Sequence, residues 1–107
     1  MKKLKKVSLS YNKLTAFPAA ILKLEELESL EIGNQQIAEL PKNLKGLSNL
    51  KHLELKSAGI KELSDSIGDL KSLESLDLER NDIVSISESI SNCKSLSTLI
   101  LANNRLL

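Results

Sequence analysis

Carboxylate side chains recur at a fixed spacing in this sequence. Glu31, Glu54 and Asp77 are each 23 residues apart, and Glu79 follows the last of them by two positions. A row of acids of this kind suits the docking of a basic peptide or the binding of a cation. The competing interpretation is a solvated face on which neighbouring basic residues neutralise the acids. The pattern favours peptide docking over a metal site.

Metal and nucleophile chemistry each depend on a single residue here. His52 is the one histidine, and with Glu54 or Glu31 it would offer imidazole and carboxylate, both usual zinc ligands. Structural zinc sites usually use cysteines or several histidines, so a surface histidine is the better interpretation. Cys93 is the one cysteine, and we expect a small buried hydrophobe with no base beside it. We therefore predict no catalytic residue, no metal site, no cofactor and no enzyme activity.

Charge and composition restrict the class of partner. The 107 residues carry a formal net charge of +1, and aromatic residues make up 2% of the chain. Lys2, Lys3, Lys5 and Lys6 form the densest charge cluster. A cluster that lacks arginine and aromatic residues fits a solubilising edge better than a surface for nucleic acid or anionic lipid. We expect neither nucleic acid nor a membrane as partner.

The compartment is suggested by what the sequence lacks. A single cysteine rules out an internal disulfide and fits a reducing environment. No apolar run approaches the length of a membrane-spanning helix. The segment 8–12, with sequence SLSYN, interrupts the apolar stretch that a signal peptide needs after its lysines. We expect a cytoplasmic protein, with secretion through a leader already removed as the alternative.

The whole chain repeats with a period of 23 residues, without insertion or deletion, and this repeat must position the residues above. Its first column holds Leu4, Leu27, Leu50, Leu73 and Leu96. The columns that follow are Val7, Leu30, Leu53, Leu76 and Leu99; Leu9, Ile32, Leu55, Leu78 and Leu101; and Leu14, Ile37, Ile60, Ile83 and Leu106. Later columns are Phe17, Leu40, Leu63 and Ile86; Ile21, Leu44, Ile67 and Ile90; and Met1, Leu24, Leu47, Leu70 and Cys93.

Two hydrophobic periods alternate within each repeat. Residues alternate between apolar and polar around Leu53–Leu55, which predicts a strand with one buried face. Apolar residues are then spaced by three and four, which suits a short helical or 3₁₀ turn. Parallel strands are predicted near 6–10, 29–33, 52–56, 75–79 and 98–102. Short turns are predicted near 18–24, 41–47, 64–70 and 87–93.

The ninth position of the repeat carries a possible ladder of amides. It holds Asn12, Gln35, Ala58, Asn81 and Asn104. A buried carboxamide donates and accepts together, so it can satisfy the backbone groups of adjacent coils where the chain leaves the strand. Because Ala58 has no polar side chain, we expect the ladder to be weakest in the third repeat.

These columns resemble the leucine-rich repeat family, in the 23-residue form LxxLxLxxNxL followed by xxLPxxIxxLxx. Residues 40–44 carry the Leu-Pro segment in full, and Phe17-Pro18 is a close variant. The resemblance implies an α/β fold: a right-handed solenoid with a short parallel β-sheet on its concave face and 3₁₀ or short helical turns on its convex face. It implies one domain over residues 1–107, with four full repeats, a partial fifth and no obvious caps. It also implies a scaffold that binds proteins or peptides on the concave sheet.

Outward-facing strand positions supply the expected partner-binding residues. We place the binding surface on the acids, the histidine and the adjacent basic residues of repeats two to four, with a basic peptide favoured. These residues are Glu31, His52, Glu54, Lys56, Asp77, Glu79 and Arg80.

The last strand raises a second hypothesis, that of self-assembly. Ile100 stands in the acidic column, and apolar residues run from 99 to 101. An unpaired strand beside exposed leucines is a template for another chain. We expect a homodimer through this edge, or pairing with further repeats of a longer protein. The edge residues are Thr98, Ile100, Ala102, Leu106 and Leu107.

Overall fold

Five short strands form one parallel sheet in chain order. The computed structural model describes residues 3–106, so the expectations placed on Met1, Lys2 and Leu107 lie outside the described residues. The strands are β1 (Lys6–Ser8), β2 (Ser29–Glu31), β3 (His52–Glu54), β5 (Ser75–Asp77) and β7 (Thr98–Ile100). Every pair in the sheet is parallel, with partners 23 residues apart such as Leu30 and Leu53. The predicted solenoid is confirmed.

Each strand begins where the sequence predicts and ends two residues earlier. Inter-repeat hydrogen bonds nevertheless continue beyond the strand ends, as where the Asn34 N–H donates to the Lys56 carbonyl at 2.7 Å. The eighth residue of every repeat then adopts a left-handed conformation. These residues are Tyr11, Asn34, Ser57, Arg80 and Asn103, with φ between 51° and 64°. The left-handed residue turns the chain out of the sheet, which the apolar columns alone did not indicate.

Convex turns occur in all four predicted segments. They are 3₁₀ segments: η1 (Ala19–Lys23), η2 (Lys45–Leu47), η3 (Asp65–Asp69) and η4 (Glu88–Asn92). Three of them bury an apolar residue, Ile21, Leu47 or Ile67, whereas Ile90 of η4 is only half-buried. Repeat two differs from the others because its turn begins only after Leu44.

A second, two-stranded sheet lies between the main sheet and the convex turns. It pairs β4 (Glu62–Leu63) with β6 (Ser85–Ile86) in parallel. This sheet was not among the predicted elements, because two residues are too few to show a hydrophobic alternation. Among the described residues, this small sheet joins repeats three and four only.

The core is a continuous stack of aliphatic side chains from the repeat columns. Leu27, Leu50 and Leu73 are fully buried, as are Ile32, Leu55 and Leu78. Burial decreases toward both ends of the described chain, where Leu4 is 39% exposed and Leu106 is 45% exposed. Within residues 3–106, no helix has the length and apolar character needed to cross a membrane.

Candidate protein-binding surface

The acidic column forms a row across the concave sheet. Strand pairing places Glu31 opposite Glu54, Glu54 opposite Asp77, and Asp77 opposite Ile100. The three carboxylate residues are half-buried, whereas Ile100 is exposed. Directly opposed like charges destabilise a sheet, so each of these acids needs local compensation or a partner.

Two basic residues compensate part of the strip. The Lys56 Nζ lies 3.8 Å from the Asp77 Oδ2, and the Arg80 guanidinium lies 3.9 Å from the Glu79 Oε2. Both pairs are at the surface, where an ion pair contributes little to stability. Within residues 3–106, no ion pair includes Glu31 or Glu54. The uncompensated negative charge is therefore concentrated at the first two acids of the column.

Glu54 lies over a glycine that leaves room for it. Its Oε1 accepts a hydrogen bond from the Lys56 N–H at 3.1 Å, and a Cβ at Gly33 would overlap both that oxygen and the Lys56 carbonyl. Partial burial raises the pKa of the Glu54 carboxyl, and the nearby Asp77 and Glu31 charges raise it further. The hydrogen bond from the Lys56 N–H and the Lys56 charge lower this pKa, but by less. Burial and the two acidic neighbours thus disfavour the charged form of Glu54 more than its hydrogen bond and Lys56 favour it.

His52 and Cys93 lie apart from each other. His52 is exposed on the concave face, between Ser29 and Ser75 of the neighbouring strands. Among the described residues, no group of three or more His, Cys, Asp and Glu side chains could hold a metal ion, so His52 and the acids do not form such a cluster. Cys93 is 5% exposed, and its Sγ donates to the Ile67 carbonyl at 3.2 Å. Burial raises the pKa of the Cys93 thiol, with Lys71 opposing weakly. The thiol therefore packs as part of the core, as predicted.

The amide ladder holds adjacent coils together and is interrupted where the sequence predicts. The Asn81 Oδ1 accepts from the Ala58 and Ile60 N–H groups, and its Nδ2 donates to the Leu55 and Leu78 carbonyls. One coil later, the Asn104 Oδ1 accepts the Ile83 N–H and its Nδ2 donates to the Leu78 and Leu101 carbonyls.

Gln35 takes the same role in spite of its longer side chain. Its Oε1 accepts the Leu14 N–H at 2.8 Å, and its Nε2 donates to the carbonyls of Leu9 and Ile32. The Ala58 side chain is a methyl group and cannot form a hydrogen bond with repeat two. The junction between the second and third repeats is therefore the one that lacks an amide bridge.

The expected dimer edge is open in the described chain. Thr98, Ala102 and Leu106 are exposed, and Ile100 is 37% exposed. In the main sheet, the residue that follows each strand donates its backbone N–H to the next repeat, as the Leu78 N–H does to the Ile100 carbonyl. Leu101 holds this position after β7, so its N–H faces the open edge. Leu107 lies outside the described residues.

One surface was missed by the sequence analysis. A groove of about 830 Å³ runs along the flank where the strands lead into the convex turns. It is lined by Ala38, Glu39, Leu40, Pro41, Lys42, Lys61, Glu62, Ser64, Asp82, Val84 and Arg105. Its residues are spread over several repeat positions, most of them polar, so no single column of the sequence pointed to it.

Comparison with known proteins assigns the class. The leucine-rich repeat family matches residues 25–83 and 48–106. With the parallel sheet and 3₁₀ turns described above, this match shows that the chain belongs to the leucine-rich repeat family. A comparison with curated proteins found no match.

Solved structures of similar fold come from bacteria and an insect. A leucine-rich repeat protein of Leptospira interrogans is 26% identical with a TM-score of 0.83, covering 94% of this chain and 31% of that one. An internalin of Listeria monocytogenes is 28% identical with a TM-score of 0.81, covering 99% and 31%. The Toll–Spätzle complex of Drosophila contains a chain 25% identical with a TM-score of 0.86, covering 98% and 14%. This chain thus spans less than a third of the length of each.

Proposed function

We propose that this chain is a non-catalytic binding module that holds a basic segment of a protein partner against its concave sheet. Proteins of this family generally mediate protein–protein interaction, and the family and fold are typically non-catalytic. One similar structure is itself a complex, that of Toll with Spätzle. The binding surface consists of Glu31, His52, Glu54, Lys56, Asp77, Glu79 and Arg80.

The observation that carries the proposal is the charge imbalance at Glu31 and Glu54. Asp77 and Glu79 each lie beside a basic group, while the first two acids face each other across β2 and β3. A partner lysine or arginine placed between Glu31 and Glu54 would remove that repulsion. Charge pairing of this kind affects the association rate and its salt dependence most strongly.

The test is a binding titration with two probes, a lysine- and arginine-rich nonapeptide and an acidic peptide of equal length. We expect the basic peptide to bind, to weaken at high salt, and to weaken further with Glu31→Gln/Glu54→Gln. The control is Glu88→Gln, which removes one exposed acid from the convex side. Equal binding of the two peptides, insensitive to salt, would show that the concave acids do not select the partner.

A second candidate function is self-assembly through β7, favoured by the exposure of Leu99 and Ile100 at 38% and 37%. Two copies would pair residues 98–102 antiparallel about a two-fold axis. Sedimentation at several concentrations tests this, with Ile100→Lys expected to shift a dimer to a monomer. A wild-type protein that stays monomeric at high concentration would exclude it.

A further inference from the structure

The second junction, between repeats two and three, buries a backbone donor that has no partner. Counted from the first column, the repeats begin at Leu4, Leu27, Leu50, Leu73 and Leu96. At the other junctions, the side-chain oxygen of Gln35, Asn81 or Asn104 accepts the N–H of the eleventh residue of the repeat before it. The eleventh residue of repeat two is Ile37, to which Ala58 has no oxygen to offer. Ile37 is 3% exposed, and within residues 3–106 its N–H donates no hydrogen bond. An unsatisfied buried donor of this kind weakens the junction.

The same junction also lacks an ion pair. Each of the other three junctions is crossed by one pair of surface side chains. The pairs are Lys5 with Glu28 at 3.7 Å, Lys56 with Asp77 at 3.8 Å, and Arg105 with Asp82 at 3.6 Å. In the part of the chain that the structure describes, no ion pair crosses the second junction, where Glu31 instead lies opposite Glu54. Opposed like charges destabilise a sheet, so the electrostatic contribution changes sign at this junction.

Other contacts keep the second junction closed in this structure. Strands β2 and β3 pair across it, the Ala38 N–H donates to the Ala58 carbonyl at 3.0 Å, and the Leu44 N–H donates to the Asp69 Oδ2 at 2.9 Å. The stability of a repeat array is approximately a sum over repeats and the interfaces between neighbours, so the weakest interface opens first. Two repeats alone bury too little to remain folded once they separate from the array. Repeats one and two should therefore open as a unit.

We propose that repeats one and two open and close together at the second junction, and that a basic segment bound between Glu31 and Glu54 holds this junction closed. The partner's cation would supply the ion pair across the junction that the chain's own side chains do not form. A ligand that binds only the closed state stabilises that state by mass action. This inference rests on the proposed function and adds that partner binding is coupled to the folding of repeats one and two.

Hydrogen exchange of the ¹⁵N-labelled full chain, followed by NMR, tests the opening. The Ile32 N–H donates to the Glu54 carbonyl across the second junction, and the Leu55 N–H makes the equivalent bond to Asp77 across the third. We expect the Ile32 amide to exchange about tenfold faster than the Leu55 amide, since one or two missing hydrogen bonds amount to that factor. The lysine- and arginine-rich nonapeptide, at ten times its dissociation constant, should slow exchange at Ile32 about tenfold.

Two variants close the junction without the peptide. Ala58→Asn offers an amide oxygen to the Ile37 N–H, and should slow exchange at Ile32 about tenfold relative to Leu55. Glu31→Lys places a cation opposite Glu54, and should slow it about two- to fivefold. Ser8→Lys is the matched control, because Ser8 lies opposite Glu31 across the first junction and leaves the second unchanged. It should not alter the ratio between Ile32 and Leu55.

The outcomes separate this inference from the proposed function. If the peptide does not bind while Glu31→Lys and Ala58→Asn both slow exchange at Ile32, the proposed function fails and the opening of repeats one and two stands without its ligand. Equal exchange at Ile32 and Leu55 in wild type would overturn the inference. So would a peptide that binds without slowing exchange at Ile32, or Glu31→Lys having no greater effect than Ser8→Lys.

Discussion

The Asn81 side chain reaches across one repeat to Ala58, accepting its N–H at 2.9 Å, while Ala58 makes no corresponding side-chain bond to the repeat before it. The two residues occupy the same position of successive coils. One closes the junction between repeats three and four with a buried carboxamide. The other offers no amide to the junction between repeats two and three, and residues on both sides of that junction line the groove described above.

Removing the Asn81 amide should destabilise the protein strongly. Asn81→Ala leaves two buried N–H groups and the Leu55 carbonyl without their partner, whereas the Leu78 carbonyl keeps its bond from the Asn104 Nδ2. Each unsatisfied buried group costs about 1–3 kcal/mol, and local relaxation recovers part of that, so we expect a loss of about 3 kcal/mol. Urea unfolding followed by circular dichroism measures it. Asn12→Ala is the matched control, since Asn12 is exposed and bonds only within its own repeat; equal losses for both variants would contradict the ladder's role.

A side chain at Gly33 should disturb the acidic strip. The added Cβ of Gly33→Ala would overlap the Lys56 backbone, which cannot move without shifting β3, and overpacking of this kind costs about 1–3 kcal/mol. Ser10→Ala is the control, because Ser10 holds the same repeat position in repeat one. Thermal unfolding of both variants gives the comparison. A Gly33→Ala protein as stable as wild type would mean that the repeats separate there without cost.

The sequence predicted the architecture because the apolar columns repeat without a break. Residues such as Leu53 and Ile67 determine where the strands start, how they pair and where the convex turns lie. Both are buried, and the equivalent residue of each repeat is apolar as well. The left-handed eighth position escaped prediction because only Asn34 and Asn103 are of a residue type enriched at positive φ, while Tyr11, Ser57 and Arg80 are not. The groove escaped because its lining residues come from several positions of four successive repeats, and no single column contains them.

The candidate site was predicted as a set of positions, and the structure adds their local environment. Alternation along the strand placed Glu31, Glu54 and Asp77 in one row, and strand pairing shows that row. The side-chain conformations of Lys56 and Arg80 decide which acids are paired and which keep an uncompensated charge. The spacing of residues in the sequence does not determine these conformations.

The titration of Glu54 should appear in the pH dependence of stability. Its pKa is raised in the folded chain, chiefly by burial, so the folded state holds that proton more tightly than the unfolded state does. The free energy of unfolding of wild type, relative to Glu54→Gln, should therefore fall as the pH rises from the ordinary carboxyl pKa through the raised pKa of Glu54, and then level off. Parallel urea titrations between pH 3 and 8 check this; a difference that grows in favour of wild type with rising pH would contradict it.

The Cys93 thiol should react only when its part of the chain opens. It is buried, its Sγ donates to the Ile67 carbonyl, and burial raises its pKa, so both access and the thiolate fraction are low in the folded state. We expect a disulfide-exchange reagent to label wild type slowly at pH 8 and to label it faster as urea is added below the unfolding midpoint. The matched control is Cys93→Ala/Ser95→Cys, which moves the one thiol to an exposed position two residues away. That variant should react at the rate of a free thiol with no dependence on urea. If wild type reacts as fast as the control in the absence of urea, Cys93 is accessible in the folded protein and is not the core residue that its column indicates.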